Sequence, residues 1–307
     1  MLYDGAQFPA LLDATPCHAF WGAYWAAHAV AMTGLVAAYC ITDAITDAIT
    51  DSPAKGPLRA LAATVKDLSS YGKTSPSNVP DSPARDMLHV PKVWFAHFYA
   101  VGAVANAACL LELGLGSGAA VSWLYQLHVT RRLLESRFVT RFSPTAAMHL
   151  LHYVLGITYY VAVPLTLRCC GGGPSPGSFP FALLAVAFLY LNAAQLQCHR
   201  ALAALRPHRG GGGGGPGGGP GGGSRGDCEY GLPRGGWFEV VSCPHYLIEV
   251  GLYGTLALLC GGCPAACALF AFVAVELAFA AATQHAWYRA TFSDYPLERF
   301  AIYPGLL

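Results

Sequence analysis

His245 and Glu249 stand four residues apart in Ser242-Cys243-Pro244-His245-Tyr246-Leu247-Ile248-Glu249, so a helix carries both on one face. An imidazole and a carboxylate inside an apolar stretch are costly and by default suggest function. The plainer reading is a pair that satisfies itself between helices. A second set closes the chain: His285, Tyr288 and Arg289 at i, i+3 and i+4, then Asp294-Tyr295-Pro296 and Arg299. Arginine pairs with phosphate bidentately, so two of them beside a His and a Tyr suit a phosphate-bearing ligand. A third set, Asn192, Gln195 and His199, has the spacing of one helical stripe, with Arg206 beyond it. A fourth is His128, Arg131, Arg132 and Glu135, in which Arg131 and Glu135 have the spacing of an i, i+4 ion pair. Upstream, His97 and Tyr99 offer proton donors near the start of another apolar run.

The elements that must position these residues are membrane helices. Of the 307 residues 54% are hydrophobic and only 11% charged, and the mean hydropathy is +0.42. Soluble domains carry roughly 25% charged residues, so a water-exposed fold is excluded. The hydrophobic pattern predicts seven spans, at about 19–42, 92–114, 118–135, 145–167, 179–199, 244–261 and 264–286. Basic residues gather on cytoplasmic loops. Seven spans put seventeen of the eighteen Lys and Arg on one side, with only Arg168 opposite. The N-terminus is therefore expected on the lumenal or outer side and the C-terminus in the cytosol. The first basic residue is Lys55, so the chain lacks the positive start of a cleaved signal, and the first span reads as a retained helix.

Ile41-Thr42-Asp43-Ala44 repeats through Asp51, and residues 210–223 are almost pure glycine with two prolines, a flexible coil that carries no chemistry. The eleven cysteines are scattered, several inside apolar spans, where they act as small hydrophobes. Cys260, Cys263 and Cys267 cluster between two spans; disulfide-forming or unpaired thiols fit them better than a metal, and no metal site is expected. Gly72-Lys73-Thr74 lacks the glycine five residues upstream that a phosphate-binding loop needs. A net charge of +1 gives no field for nucleic acid.

The stretch Gly236-Trp237-Phe238-Glu239-Val240-Val241-Ser242-Cys243-Pro244-His245-Tyr246-Leu247-Ile248-Glu249, with His285-Ala286-Trp287-Tyr288 and Asp294-Tyr295-Pro296-Leu297-Glu298-Arg299, resembles the C-terminal region of the steroid 5α-reductase family. These membrane enzymes use NADPH to reduce a carbon–carbon double bond. Asp67–Thr74, Val90–Tyr99 and Leu127–Glu135 extend the resemblance over most of the chain and bring it nearest to the polyprenoid-reducing branch. It implies an all-α polytopic protein in four parts: a membrane helix and cytosolic loop (1–91), helices two to five (92–209), a Gly-rich insert (210–226) and an NADPH-binding region (227–307). The implied cofactor contacts are Arg132, Gln195, His199, Arg206, His245, Glu249, His285, Tyr288 and Arg299, and the implied catalytic residues are His97 and Tyr99.

Steroid-reducing members carry a Gln-Glu pair that engages the substrate carbonyl, and here the matching positions read His97-Phe98. A phenylalanine neither hydrogen-bonds a carbonyl nor gives up a proton, so an enone steroid is disfavoured. His245 replaces a usual Asn, and Gly231 a usual Arg before Leu232-Pro233, with Arg234 nearby to supply charge. The expected reaction is reduction of the α-isoprene double bond of a polyprenoid lipid, in the endoplasmic reticulum membrane, toward dolichol for protein N-glycosylation. Hydride adds readily to such a bond only when a conjugated carbonyl takes up the charge, which favours polyprenal, although polyprenol stays open. The alternatives are a steroid or trans-2-enoyl-CoA reductase, a membrane methyltransferase with a similar helical pocket, and a lipid-binding subunit.

Overall fold

The computed structural model describes residues 14–48, 88–114, 116, 119–142, 146–170, 173–206 and 231–306. The glycine-rich stretch and the Asp67–Thr74 segment lie outside them. Seven α-helices occur among the described residues: α1 Ala14–Ala48, α2 Phe95–Leu113, α3 Ala120–Phe138, α4 Leu150–Cys169, α5 Phe179–Ala204, α6 Pro244–Leu259 and α7 Pro264–Thr291. Each overlaps one of the seven expected spans. By length and composition α2, α4, α5 and α7 are able to cross a membrane. The charged stripe of α3 and the 16-residue length of α6 keep those two apart from the four.

Local sequence sets the helix ends. Proline occupies the first turn of α5, α6 and α7, where its missing N–H costs nothing. The Ser178 hydroxyl accepts the Phe181 N–H at the start of α5. Gly261 and Gly262, both at positive φ, make the tight turn from α6 to α7.

The packing order is α1 on α7, α7 on α6, α6 on α5, and α2 between α3 and α4. Trp25 of α1 is fully buried, and its indole donates to the Thr166 hydroxyl of α4 at 2.9 Å. Its ring also meets Tyr159 and Phe272. The α2–α4 contact depends on a missing side chain: a Cβ at Gly156 would sit 2.6 Å from the Phe98 ring. Small residues allow this close approach in membranes, where the hydrophobic effect does not drive helices together.

Two three-residue strands depart from an all-helical reading. β1, His89–Pro91, pairs antiparallel with β2, Ala147–His149, in the register His89↔His149 and Pro91↔Ala147. They precede α2 and α4, and their ladder clamps those helix starts together. A second tie joins the C-terminal segment to the approach to α6, through Ser242 N–H to the Phe300 carbonyl at 2.8 Å and Phe300 N–H to the Val240 carbonyl at 3.0 Å. Both ties lie at the end expected in the cytosol. At the opposite end disulfides join Cys17 to Cys169 and Cys170 to Cys263, linking α1, α4 and α7. Arg168, the basic residue expected on that side, pairs there with Glu112 at 2.7 Å.

Candidate active site

Helix α3 supplies the organising stripe. His128, Arg131, Arg132 and Glu135 fall on its inner face, and Glu135 and His128 are 2% and 1% exposed. Arg131 donates from Nε to the Asn192 side-chain oxygen at 3.0 Å, and its other nitrogens reach Glu135 and Gln195. Arg132 donates to Glu135 and to the Tyr99 hydroxyl and stacks its guanidinium 4.7 Å from the Tyr99 ring. The His199 Nδ1 sits between Glu135 and Arg132, which is 2.9 Å away. Gln195 passes the network on to Glu249, and His128 Nε2 faces the same carboxylate at 3.6 Å. Since the Asn192 amide nitrogen donates to the Phe188 carbonyl, its oxygen receives the His128 Nδ1–H at 2.9 Å.

Four helices, α2, α3, α5 and α6, thus meet in one buried network in which two arginines balance two carboxylates. Burial of such groups costs several kcal/mol per ion unless the partners are complete. The pairing here is nearly complete, and that constrains what remains. The Arg132 Nε is buried without a partner among the described residues. The His245 carbonyl is 3.4 Å from the Gln195 amide, and the His245 ring lies 5.4 Å from His199.

A second cluster adjoins the first through the start of α6. The Ser242 hydroxyl meets His285 Nδ1 at 2.6 Å and the Tyr295 hydroxyl, and it also lies 3.1 Å from the Phe300 carbonyl, to which it can donate. Tyr288 and Tyr295 stack with ring centroids 6.1 Å apart. Arg299, 3% exposed, donates to the Pro233 carbonyl at 2.9 Å and to Glu239 at 3.1 Å, and its Nε has no partner among the described residues. The Gly235 N–H and then Arg299 hold the Glu239 carboxyl below its ordinary range, while burial raises the Tyr295 phenol.

The expected residues therefore divide. Arg132, Gln195, His199 and Glu249 share the first network, with His245 at its border. His285, Tyr288 and Arg299 belong to the second. Arg206 lies apart at the end of α5, where its carbonyl accepts from Arg141 at 3.2 Å. Tyr99 joins the first network, whereas His97 is exposed on another face of α2, bonded to the Tyr153 hydroxyl at 3.1 Å. Glu135 is central to the network, although the spacing alone had given it only the role of an ion-pair partner. Sequence reasoning missed Tyr125, which continues the α3 stripe as 125, 128, 132 and 135 and was legible by that spacing.

Partnerless arginine nitrogens in two adjoining clusters, together with His and Tyr donors, fit a phosphate-bearing nicotinamide nucleotide. Beside the first cluster, an apolar groove of about 1040 Å³ runs between α3 and α5. Trp123, Leu127, Phe138 and Leu189 line it, and Arg131, Glu135 and Arg200 border it.

Comparison with known proteins bears on the family. Residues 224–307 match the family model described as 3-oxo-5-alpha-steroid 4-dehydrogenase. Polyprenal reductase 1 of Arabidopsis thaliana is 31% identical over 281 residues, covering 72% of this chain and 83% of the relative. Polyprenal reductase of Caenorhabditis elegans is 30% identical, covering 78% and 86%, and that of Danio rerio is 29% identical, covering 79% and 87%. The helical fold and these matches together define a membrane reductase of carbon–carbon double bonds that uses a nicotinamide cofactor. The chain belongs to the steroid 5α-reductase family, in the branch of the polyprenal reductases.

Proposed function

We propose that this protein reduces the α-isoprene double bond of polyprenal with NADPH, giving dolichal for dolichol synthesis in the endoplasmic reticulum membrane. The observation that carries the reading is the buried Tyr99–Arg132–Glu135–Gln195–Glu249 network, bordered by an apolar groove and joined to a second arginine cluster. The relatives named above carry the substrate in their names, which favours the aldehyde over the alcohol. The cysteine bonds at the lumenal end suit an oxidising compartment.

In this reading the bound cofactor supplies hydride. Arg132 and Arg299 hold its phosphates through their partnerless nitrogens, and His199, His245, His285 and Tyr288 border it. Arg206, 65 residues beyond Arg141 in sequence but joined to it by a hydrogen bond, adds positive charge at the cytosolic rim. Tyr99 accepts from Arg132 and so keeps its own proton free to give. It therefore supplies the proton that completes reduction. His97, exposed and bound to Tyr153, helps seat the entry to α2.

The test is purified protein in detergent or nanodiscs with NADPH and, in parallel, polyprenal, polyprenol and an enone steroid, scored by product mass. A gain of two mass units on polyprenal alone is expected. Reduction of the steroid with polyprenal untouched would overturn the reading.

A further inference from the structure

The end of the bundle opposite the arginine network holds a second convergence of chemistry-bearing side chains. Helix α1 packs against α7 and α4 there, and its Cys17 is joined to Cys169. Their neighbours in sequence, His18 and Cys170, meet at the same place. Cys263 arrives from a third direction as the residue that caps α7, where its sulfur accepts the Ala266 N–H at 3.5 Å. One ring nitrogen of His18 and the sulfurs of Cys170 and Cys263 all lie within 4.8 Å of one another. Spacing in the sequence hid this set, because its members belong to three different helices. Cys260 and Cys267, which the sequence groups with Cys263, are free thiols outside it.

In the oxidised chain Cys170 and Cys263 are bonded to each other, which leaves the imidazole unused. The His18 Nδ1 is buried and has no hydrogen-bond partner among the described residues. Such an atom is uncommon and needs an explanation, and a bonded sulfur is at best a weak acceptor. Reduced, the same three residues offer two thiolates and an imidazole. Those are ligands of borderline-soft divalent metals, zinc above all, and include none of the oxygen that calcium or magnesium requires. Zinc bonds of about 2.3 Å to sulfur and 2.0–2.1 Å to nitrogen put tetrahedral ligand atoms about 3.5–3.8 Å apart, inside the observed span. Two thiolates offset the charge of the ion, so the filled site is neutral beside the apolar bundle. The N-terminus of α7 favours the negative charge on Cys263.

We propose that His18, Cys170 and Cys263 form a zinc-binding site in the reduced chain, with water as fourth ligand, and that oxidation replaces this metal tie by the Cys170–Cys263 disulfide. Disulfides form over seconds to hours, so a reduced chain precedes the oxidised one. In that interval the metal holds α1, α4 and α7 together at this end. The exchange balances with a disulfide as the oxidant. One metal-bound thiolate attacks it, giving a mixed disulfide and expelling one thiolate. The second cysteine then displaces the other half, closing Cys170–Cys263 and releasing the ion. Two electrons pass from the cysteine pair to the oxidant, and its two expelled thiolates take up two protons. The site is independent of the reduction assigned to the other end.

The test uses the full chain in nanodiscs, reduced with a phosphine that brings no thiol of its own, and titrated with cobalt(II) and then zinc. The reduced parent is expected to take up one cobalt with the thiolate-to-metal absorption of a tetrahedral site. Zinc should remove that band, and the oxidised parent should show none. Cys170→Ser with Cys263→Ser should abolish it, whereas Cys260→Ser with Cys267→Ser should keep it. His18→Phe should weaken cobalt by more than the roughly 10- to 100-fold that loss of an outer-shell partner costs. A measurement free of substitutions covers any variant that fails to fold. Zinc should slow alkylation of Cys170 and Cys263 in the reduced parent, mapped by mass spectrometry, and leave Cys267 as reactive as before. No band in the reduced parent, a band that survives loss of Cys170 and Cys263, or an affinity indifferent to His18→Phe would overturn the site. So would zinc protection that is absent at Cys170 or equal at Cys267.

Discussion

The two ends of this bundle are held by opposite chemistries. At the end expected in the cytosol, arginines, carboxylates, histidines and amides from four helices share one hydrogen-bonded network, and the entries to α2 and α4 are clamped by a β ladder. At the opposite end the ties are covalent: Cys17–Cys169 and Cys170–Cys263 bind α1 to α4 and α4 to α7. A disulfide constrains the chain and offers no hydrogen bond to a ligand. A polar network does both, and every donor it leaves open is an opportunity for binding. The difference teaches that one end of the bundle carries stability alone, while the other carries stability and binding in the same set of side chains.

The sharpest way to break that comparison is to unbalance the network. Glu135→Gln leaves Arg131 and Arg132 with an uncompensated buried charge. Loss of one partner of a buried pair costs about 3–5 kcal/mol, so thermal unfolding in nanodiscs should shift to markedly lower temperature and NADPH binding should fall with it. A melting curve like the parent's would mean the network is not structural. Tyr99→Phe should instead leave the melting temperature and NADPH affinity near the parent's while turnover drops by about a hundred- to a thousandfold. His97→Phe should stay within a fewfold. Equal losses in the two variants would return His97 to the reaction.

At the other end, Cys170→Ser with Cys263→Ser should cost about 2–4 kcal/mol of stability and spare turnover at low temperature. Lost turnover in a folded variant would mean that the lumenal staple reaches the site. Glu249→Ala should weaken NADPH about ten- to a hundredfold, since a hydrogen bond to a charged group is worth about 1.5–3 kcal/mol; isothermal titration decides it. The smallest effect concerns pH. Glu239 is held below its ordinary pKa by the Gly235 N–H and Arg299. Its contribution is present above the unfolded glutamate value and fades as pH falls through the lower folded one. Protection of the 231–241 segment against proteolysis should therefore fall with acid in the parent, whereas Glu239→Gln should be less protected already at neutral pH and lack that acid step, and identical profiles would remove Glu239 from the tie.

Much of this was legible in the sequence. The seven apolar periods correspond to the seven helices, because hydrophobic runs and the Pro and Gly at their ends act locally. The stripe Asn192, Gln195 and the i, i+4 pair Arg131–Glu135 were readable for the same reason. The β1–β2 ladder was not, since its pairing joins strands whose central residues, Val90 and Met148, are 58 residues apart. Nor was the division of the cofactor residues into two clusters, because spacing on α7 says nothing of which neighbour His285 faces. The partners of Cys17 and Cys170 likewise required the helix order in space.

The central claim is that reduction occurs at the cytosolic, networked end. Sealed vesicles reconstituted with the protein and sorted by an accessible C-terminal tag test it most directly, with deuterium-labelled NADPH supplied only outside and polyprenal in the membrane. Vesicles with the C-terminus outward should yield product carrying one deuterium at the β-carbon, and those with it inward should yield almost none. Deuterated product from the inward-facing vesicles alone would place the cofactor at the disulfide-bonded end and contradict the account.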